Sequence, residues 1–155
     1  MKNILLILLI VCISCTKKTQ TNEMKLSQMS APEVVKSFVQ LSASAKTSQD
    51  KKQLIDSSGG DLRRAFERMS EDEFKLTYLS GQLKVEKVDI LDTSIQNDVA
   101  KVRYQVVIEN LQGTETTLET NEREAELKKG SNGWAIESIR LKGSDKIAFT
   151  RGMIF

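Results

Sequence analysis

The spacing of apolar residues divides this chain into three regimes. Ile4 to Ile13 is apolar without a break. Between Ser30 and Leu79 apolar residues recur three and four positions apart, the period of a helix with one buried face. From Gln82 onward they tend to recur at every second position, the period of a strand.

In the helical regime, Ser30 and Glu33 form an S-x-x-E capping box with Pro32 in the first turn, so a helix starts there. Val34, Val35, Phe38, Leu41, Ser42 and Ala45 make its stripe. Lys46 to Asp50 is polar and reads as a break. Leu54 and Ile55 predict a second short helix, ending at Ser57-Ser58-Gly59-Gly60, where adjacent glycines read as a turn. Asp61 is placed to cap a third helix with Leu62, Ala65, Phe66 and Met69 on one face. Ser70 and Glu73 repeat the capping box and predict a fourth helix through Phe74 to Leu79, with Gly81 placed to end it.

In the alternating regime, Leu83 to Ile95 mixes Val85, Val88, Ile90 and Leu91 with charges, and Asn97-Asp98 is a turn. Val99 to Glu109 is the clearest strand, with Ala100, Val102, Tyr104, Val106 and Ile108 on one face and Lys101, Arg103 and Gln105 on the other. After a turn at Asn110 to Gly113 comes a long charged strand, Thr114 to Lys128. Leu118 has the opposite parity to Ala125 and Leu127, which predicts a bulge near Glu119 to Arg123. Lys129-Gly130-Ser131-Asn132-Gly133 is a hairpin turn, and the last strand carries Trp134 and Ile136 out of parity with Ile139 and Leu141. That mismatch predicts a second bulge or a strong twist, and bulges on neighbouring long strands imply a curved sheet.

The first regime concerns targeting. Ile4 to Ile13 would span only about 15 Å as a helix, half of a bilayer core, and with Lys2 ahead of it matches the apolar region of a signal peptide. Cys12-Ile13-Ser14-Cys15 resembles a bacterial lipobox, although an aliphatic residue is usual where Cys12 stands. The resemblance implies cleavage before Cys15 and lipidation, including palmitate, on that cysteine. Thr16 to Met29 is polar and reads as a tether reaching about 20 Å as a coil. The expected division is therefore a signal peptide at 1–14, lipidated Cys15 and tether at 15–29, one folded domain at 30–142, and a tail or extra strand at 143–155. Thr16 in place of a retention aspartate favours the outer membrane, by analogy with enterobacterial sorting.

Composition narrows the chemistry. Histidine is absent, which removes Ser-His-Asp, Cys-His and His-metal chemistry. Both cysteines lie in the targeting segment, so the mature domain has no disulfide. Net charge is +2 with both signs interspersed, which argues against a nucleic-acid surface. Arg63, Arg64, Arg68, Lys51 and Lys52 read as a solvated helix face. No catalytic, cofactor-binding or metal-binding set is expected. Tyr104 and Trp134 are the candidate pocket residues, against a plain core-packing role.

Ser30-Ala31-Pro32-Glu33-Val34-Val35-Lys36-Ser37-Phe38 and the closing Gly133-Trp134-Ala135-Ile136 resemble the opening helix and the end of NTF2-like lipoproteins, the cystatin-like α+β group with a DUF4878-type domain. The resemblance runs roughly from Ser30 to Leu141. It implies an α+β fold, with N-terminal helices packed on a strongly curved antiparallel sheet of about four strands, shaped as a cone. The function expected is a lipid-anchored, non-catalytic binding or assembly domain in the cell envelope. Its partners would be the membrane through Cys15 and a protein or small apolar ligand, with no nucleic acid. One alternative is an enzyme like ketosteroid isomerase or scytalone dehydratase, with Tyr104 as hydrogen-bond donor and Asp89, Asp92 or Glu109 as base. The other is a structural surface lipoprotein. The carboxylates Glu115, Glu119, Glu122, Glu124 and Glu126 read as a solvated strand rather than a cation site.

Overall fold

A computed structural model describes residues 26–78, 83–110 and 117–143. The signal segment, Cys15, the tether up to residue 25, the helix stop at Gly81, the turn at 111–113 and the tail from residue 144 lie outside the described residues. A 3-10 turn at Leu26–Gln28 is followed by α1 (Ala31–Ser44), α2 (Ser48–Asp56), α3 (Gly60–Arg68) and α4 (Glu71–Tyr78). Then come β1 (Leu83–Gln96), β2 (Val99–Asn110), β3 (Thr117–Gly130) and β4 (Gly133–Leu141). The strands form one antiparallel sheet in the order β1-β2-β3-β4, so the fold is α+β, four helices on a four-stranded meander.

The helix starts follow from side-chain chemistry. The Ser30 amide and hydroxyl both donate to Glu33 Oε2 at 2.7 Å, and the Ser70 amide donates to Glu73 Oε2 at 2.7 Å. A third box, hidden in the polar stretch read as a break, starts α2. There Asp50 accepts from the Thr47 amide at 2.8 Å, while the Asp50 amide donates to Thr47 Oγ1 at 3.2 Å. α1 buries Ala31, Val34, Val35, Phe38, Val39 and Ser42 and lies chiefly on β1, touching β4 and β2 as well, while α3 packs on β4. Full burial of side chains such as Val, Leu or Phe is worth about 1.5–3 kcal/mol apiece, so this stripe and the sheet face opposite it make the core.

On β2 the expected alternation holds, with Ala100, Val102, Tyr104, Val106 and Ile108 buried. β1 reconciles its uneven spacing by leaving Glu86 and Leu91 without partners on β2. Val85, Val88, Ile90 and Thr93 thereby all face the core, opposite Ile108, Val106, Tyr104 and Val102. β4 does the same at Glu137, which is the bulge expected from the Ile136 and Ile139 mismatch.

Two expectations are corrected. No bulge breaks β3 at Glu119 to Arg123, because its pairing with β2 runs unshifted from Val99 and Lys128 to Asn110 and Thr117. Leu118 simply stands on the outer face, 68% exposed. The sheet is also not strongly curled. Its central β2–β3 ladder is continuous and its bulges sit on the two edge strands.

Candidate functional site

The β4 bulge organises the connector between α2 and α3. A bulge leaves one residue out of the ladder and re-aims its side chain. Here that residue is Glu137, and its carboxylate lies against Gly59 and Gly60, where a Cβ would overlap its oxygens. Glycines at both positions make the approach possible. Gly59, rather than Asp61, is the residue that precedes α3. The connector also pairs with the open edge of β4: the Gly59 amide donates to the Ile136 carbonyl at 2.8 Å and the Ile136 amide to the Ser57 carbonyl at 2.9 Å. An edge strand that would otherwise template association is thus covered over part of its length.

Beside this connector lie two grooves. The larger, about 380 Å³, runs between the 3-10 turn, α1 and α2. Phe38, Leu41, Met29 and Leu26 supply its apolar surface, and Ser37, Gln53, Asp56 and Ser57 its polar one. Phe38 is held from behind by Phe66, edge to face at 6.1 Å. The smaller groove, about 250 Å³, lies between the connector and the β3–β4 turn, and shares Leu26 and Asp56 with the first. Asp56 makes no ion pair among the described residues.

The two candidate aromatics fall in different places. Tyr104 is fully buried on the core face and lines neither groove. Burial pushes its phenol pKa up, opposed by the charge of Arg123 directly across on β3. Burial in turn pulls the Arg123 guanidinium down, opposed by Tyr104. Trp134 lines the smaller groove, with the Lys129 ammonium over its ring at 5.7 Å. Leu26 and Met29, placed by sequence in the tether, pack on the core and form groove wall. Met29 had a sequence signal, since an apolar residue just before a capping box is half of a hydrophobic staple. Gln53, Asp56 and Ser57 carried none.

The proposed enzyme set does not assemble. Asp89 and Asp92 pair with Gln105 and Arg103, on the sheet face opposite Tyr104, and Asp89 is held by Lys87 at 2.9 Å. Glu109 is on that same outer face, held by Lys84 at 3.2 Å. In the large groove the Ser57 hydroxyl donates to the Gln53 carbonyl at 2.7 Å, so it is tied into the end of α2 rather than to a base. Glu122, Glu124 and Glu126 share the outer face of β3, each facing a cation. Glu122 meets Arg103 at 3.5 Å and Lys142 at 2.9 Å, Glu124 lies between Arg103 and Arg140, and Glu126 is opposite Lys101. Among the described residues no three acidic or cysteine side chains cluster as metal ligands. In the basic group, Lys51 pairs with Glu71 at 3.4 Å, Arg63 with Glu67 at 2.8 Å, and Arg64 with Asp61.

This fold has solved counterparts. The intermembrane space region of the chloroplast protein ARC6 superposes with a TM-score of 0.53 at 15% identity, covering 74% of this chain and 97% of that one. A SEC-C motif containing protein from Rhodopseudomonas palustris gives 0.52 at 11% identity, covering 71% and 77%. An NTF2-like protein of unknown function from Prochlorococcus gives 0.43 at 18% identity, covering 70% and 88%, a superposition too loose to argue from. No protein-family model matches the chain, and no curated protein matches its sequence. At these identities the first two likenesses concern the fold alone. No helix among the described residues is long and apolar enough to cross a membrane.

Proposed function

We propose that this is a lipid-anchored protein of the bacterial cell envelope, whose NTF2-like domain binds a protein segment or a small apolar ligand and catalyses no reaction. The anchor is the lipidated Cys15, with the outer membrane favoured. The observation that carries the binding reading is the 380 Å³ groove, apolar at Phe38, Leu41, Met29 and Leu26 and polar at Ser37, Gln53, Asp56 and Ser57. Its volume and mixed lining fall in the range of ligand sites. Helices first and an antiparallel meander after is the order that the NTF2-like, DUF4878-type resemblance implies. The fold's occurrence in an intermembrane space region accords with work outside the cytosol. The isomerase reading is weaker, because the carboxylates it needs are across the sheet from Tyr104. A purely structural lipoprotein would have no use for an apolar concavity beside the 3-10 turn.

Two measurements test this. Mass spectrometry of the amino-terminal peptide should show cleavage before Cys15 and acyl chains on it, and a retained Met1 with a free thiol would overturn the anchor. A photo-crosslinking amino acid at Leu41, in the groove, should give a discrete adduct in intact envelopes. The same group at Lys101, on the outer sheet face, should not. Equal labelling from both positions would overturn the groove as the binding site.

A further inference from the structure

A backbone contact fixes where the chain enters the domain. A Cβ on Gly133 would stand 2.8 Å from the Leu26 carbonyl oxygen and 2.9 Å from Ser27 Cα. Leu26 therefore sits beside the β3–β4 turn, at one end of the sheet. Ion pairs hold Lys51, Lys75, Lys84, Lys87 and Lys142, and Lys101 faces Glu126 across the sheet, while Lys36, Lys46 and Lys52 stand singly on or beside the helices without one among the described residues. Lys128 and Lys129, consecutive exposed residues leading into this turn, make no ion pair among the described residues. The sequence ahead of Leu26 adds Lys17, Lys18 and Lys25 against one acid, Glu23. The opposing acids at this end are Asp56 and Asp98, while Glu137 is packed against the glycines of the connector.

We infer that this end of the domain, with Lys128 and Lys129 at its tip, lies against the anionic headgroups of the anchoring membrane. The inference rests on Cys15 being the attachment point. The ten residues between Cys15 and Leu26 reach about 40 Å fully extended and about 20 Å as a coil. A domain of this size is about 35 Å across, so the far end approaches the bilayer only if the chain doubles back around the fold. Near an anionic surface each lysine contributes roughly fivefold in partitioning, ~1 kcal/mol, and the pair about thirtyfold. The acyl chains hold the protein to the bilayer, and the lysines set which side faces it. Both grooves share Leu26 and so open close to the membrane.

Trp134 is the single tryptophan and lies beneath Lys129, so it reports this contact. Full-length acylated protein is reconstituted into phosphatidylcholine vesicles with and without phosphatidylglycerol, each carrying a headgroup-attached quencher. Quenching of Trp134 should rise several-fold with phosphatidylglycerol, fall in high salt, and be lost in K128E/K129E. K84E, at the opposite end of β1, should leave it unchanged. Equal quenching in both vesicles, or in K128E/K129E, overturns the inference even while the protein stays membrane-bound. Quenching that appears only when envelope proteins are added also overturns it, in favour of a protein partner. If Cys15 proves unacylated, the proposed anchor fails separately. Co-sedimentation of that chain with phosphatidylglycerol vesicles then decides the lysine surface: dependence on Lys128 and Lys129 supports it, and no binding overturns it.

Discussion

Alanine at Gly133 should combine a conformational cost with an overlap against backbone, whereas Gly143 carries only the first and Gly130 neither. Gly133 has φ +101, where a residue with a Cβ is strained by about 1–3 kcal/mol. Its Cβ would also meet the Leu26 carbonyl oxygen at 2.8 Å and Ser27 Cα at 2.9 Å. Both are backbone atoms, so no rotamer change relieves the overlap. The relief available is for the 3-10 turn to lift away, exposing Leu26 and Met29, which are half-buried on the core. At half the value of a fully buried side chain, each loses about 1 kcal/mol. Gly133→Ala should therefore cost about 3–5 kcal/mol. Gly143 provides the conformational cost alone, with φ +75 and nothing within 4 Å. Alanine there should cost about 1 kcal/mol. Gly130 has open space and no positive φ, and alanine there should be neutral within about 0.5 kcal/mol. Urea unfolding of the three purified variants, followed by circular dichroism and Trp134 emission, measures the series. If Gly133→Ala proves no worse than Gly143→Ala, the contact between the 3-10 turn and the hairpin is not as described. The membrane-facing geometry would lose its basis with it.

Two further outcomes follow from the same packing and capping. Phe38→Ala removes a side chain 1% exposed and should cost about 3–5 kcal/mol in urea unfolding; a loss under about 1 kcal/mol would mean that Phe38 is not a core residue. Acid should loosen the helix starts. Hydrogen bonds from the Ser30 hydroxyl, the Lys46 amide, the Ser48 hydroxyl and the Ser70 amide hold Glu33, Asp50, Glu71 and Glu73 below their ordinary pKa values. A depressed carboxylate stabilises the fold above its unfolded pKa, near 4.5 for Glu and 3.8 for Asp. The contribution fades as pH falls through the folded value. Urea midpoints should thus hold steady from these groups between about pH 6 and 8 and drop below about pH 4.5. A midpoint flat down to pH 3 would contradict the caps.

Where sequence and structure agree, the determinant is local. β2 reads correctly because its alternation is unbroken, and α1 and α4 because Ser30 with Glu33 and Ser70 with Glu73 stand in a recognisable register. The break in parity between Ile136 and Ile139 located the β4 bulge, since a ladder can reconcile two parities only by skipping a residue. The same logic misplaced a bulge in β3 because it assumed that Leu118 was core, and that residue is 68% exposed. α2 was underestimated because its box uses Asp50 where Glu is the familiar residue. The candidate site was illegible for a different reason. Leu26, Gln53, Asp56 and Ser57 converge only through contacts distant in sequence, and no periodicity encodes those.

Those distant contacts share one feature, which bears on where function resides. The Gly59 amide on the Ile136 carbonyl, the Glu137 carboxylate against Gly59 and Gly60, and the Leu26 backbone against Gly133 all involve connectors. Each joins a connector to β4 or to the turn that leads into it. All three lie along β4 and the turn before it, beside the smaller groove, which shares Leu26 and Asp56 with the larger. A scaffold of this kind keeps its fold through the sheet and α1 while its connectors determine what is bound. That separates two classes of substitution by their readout. Changes in the α1 stripe or the β2 core face should lower stability and groove labelling together, in proportion. Glu137→Ala, which vacates the space beside Gly59 and Gly60 without touching the core cluster, should alter labelling from Leu41 at nearly unchanged urea midpoint. If labelling instead tracked the midpoint across both classes, the groove would be only a by-product of packing, with no recognition role of its own.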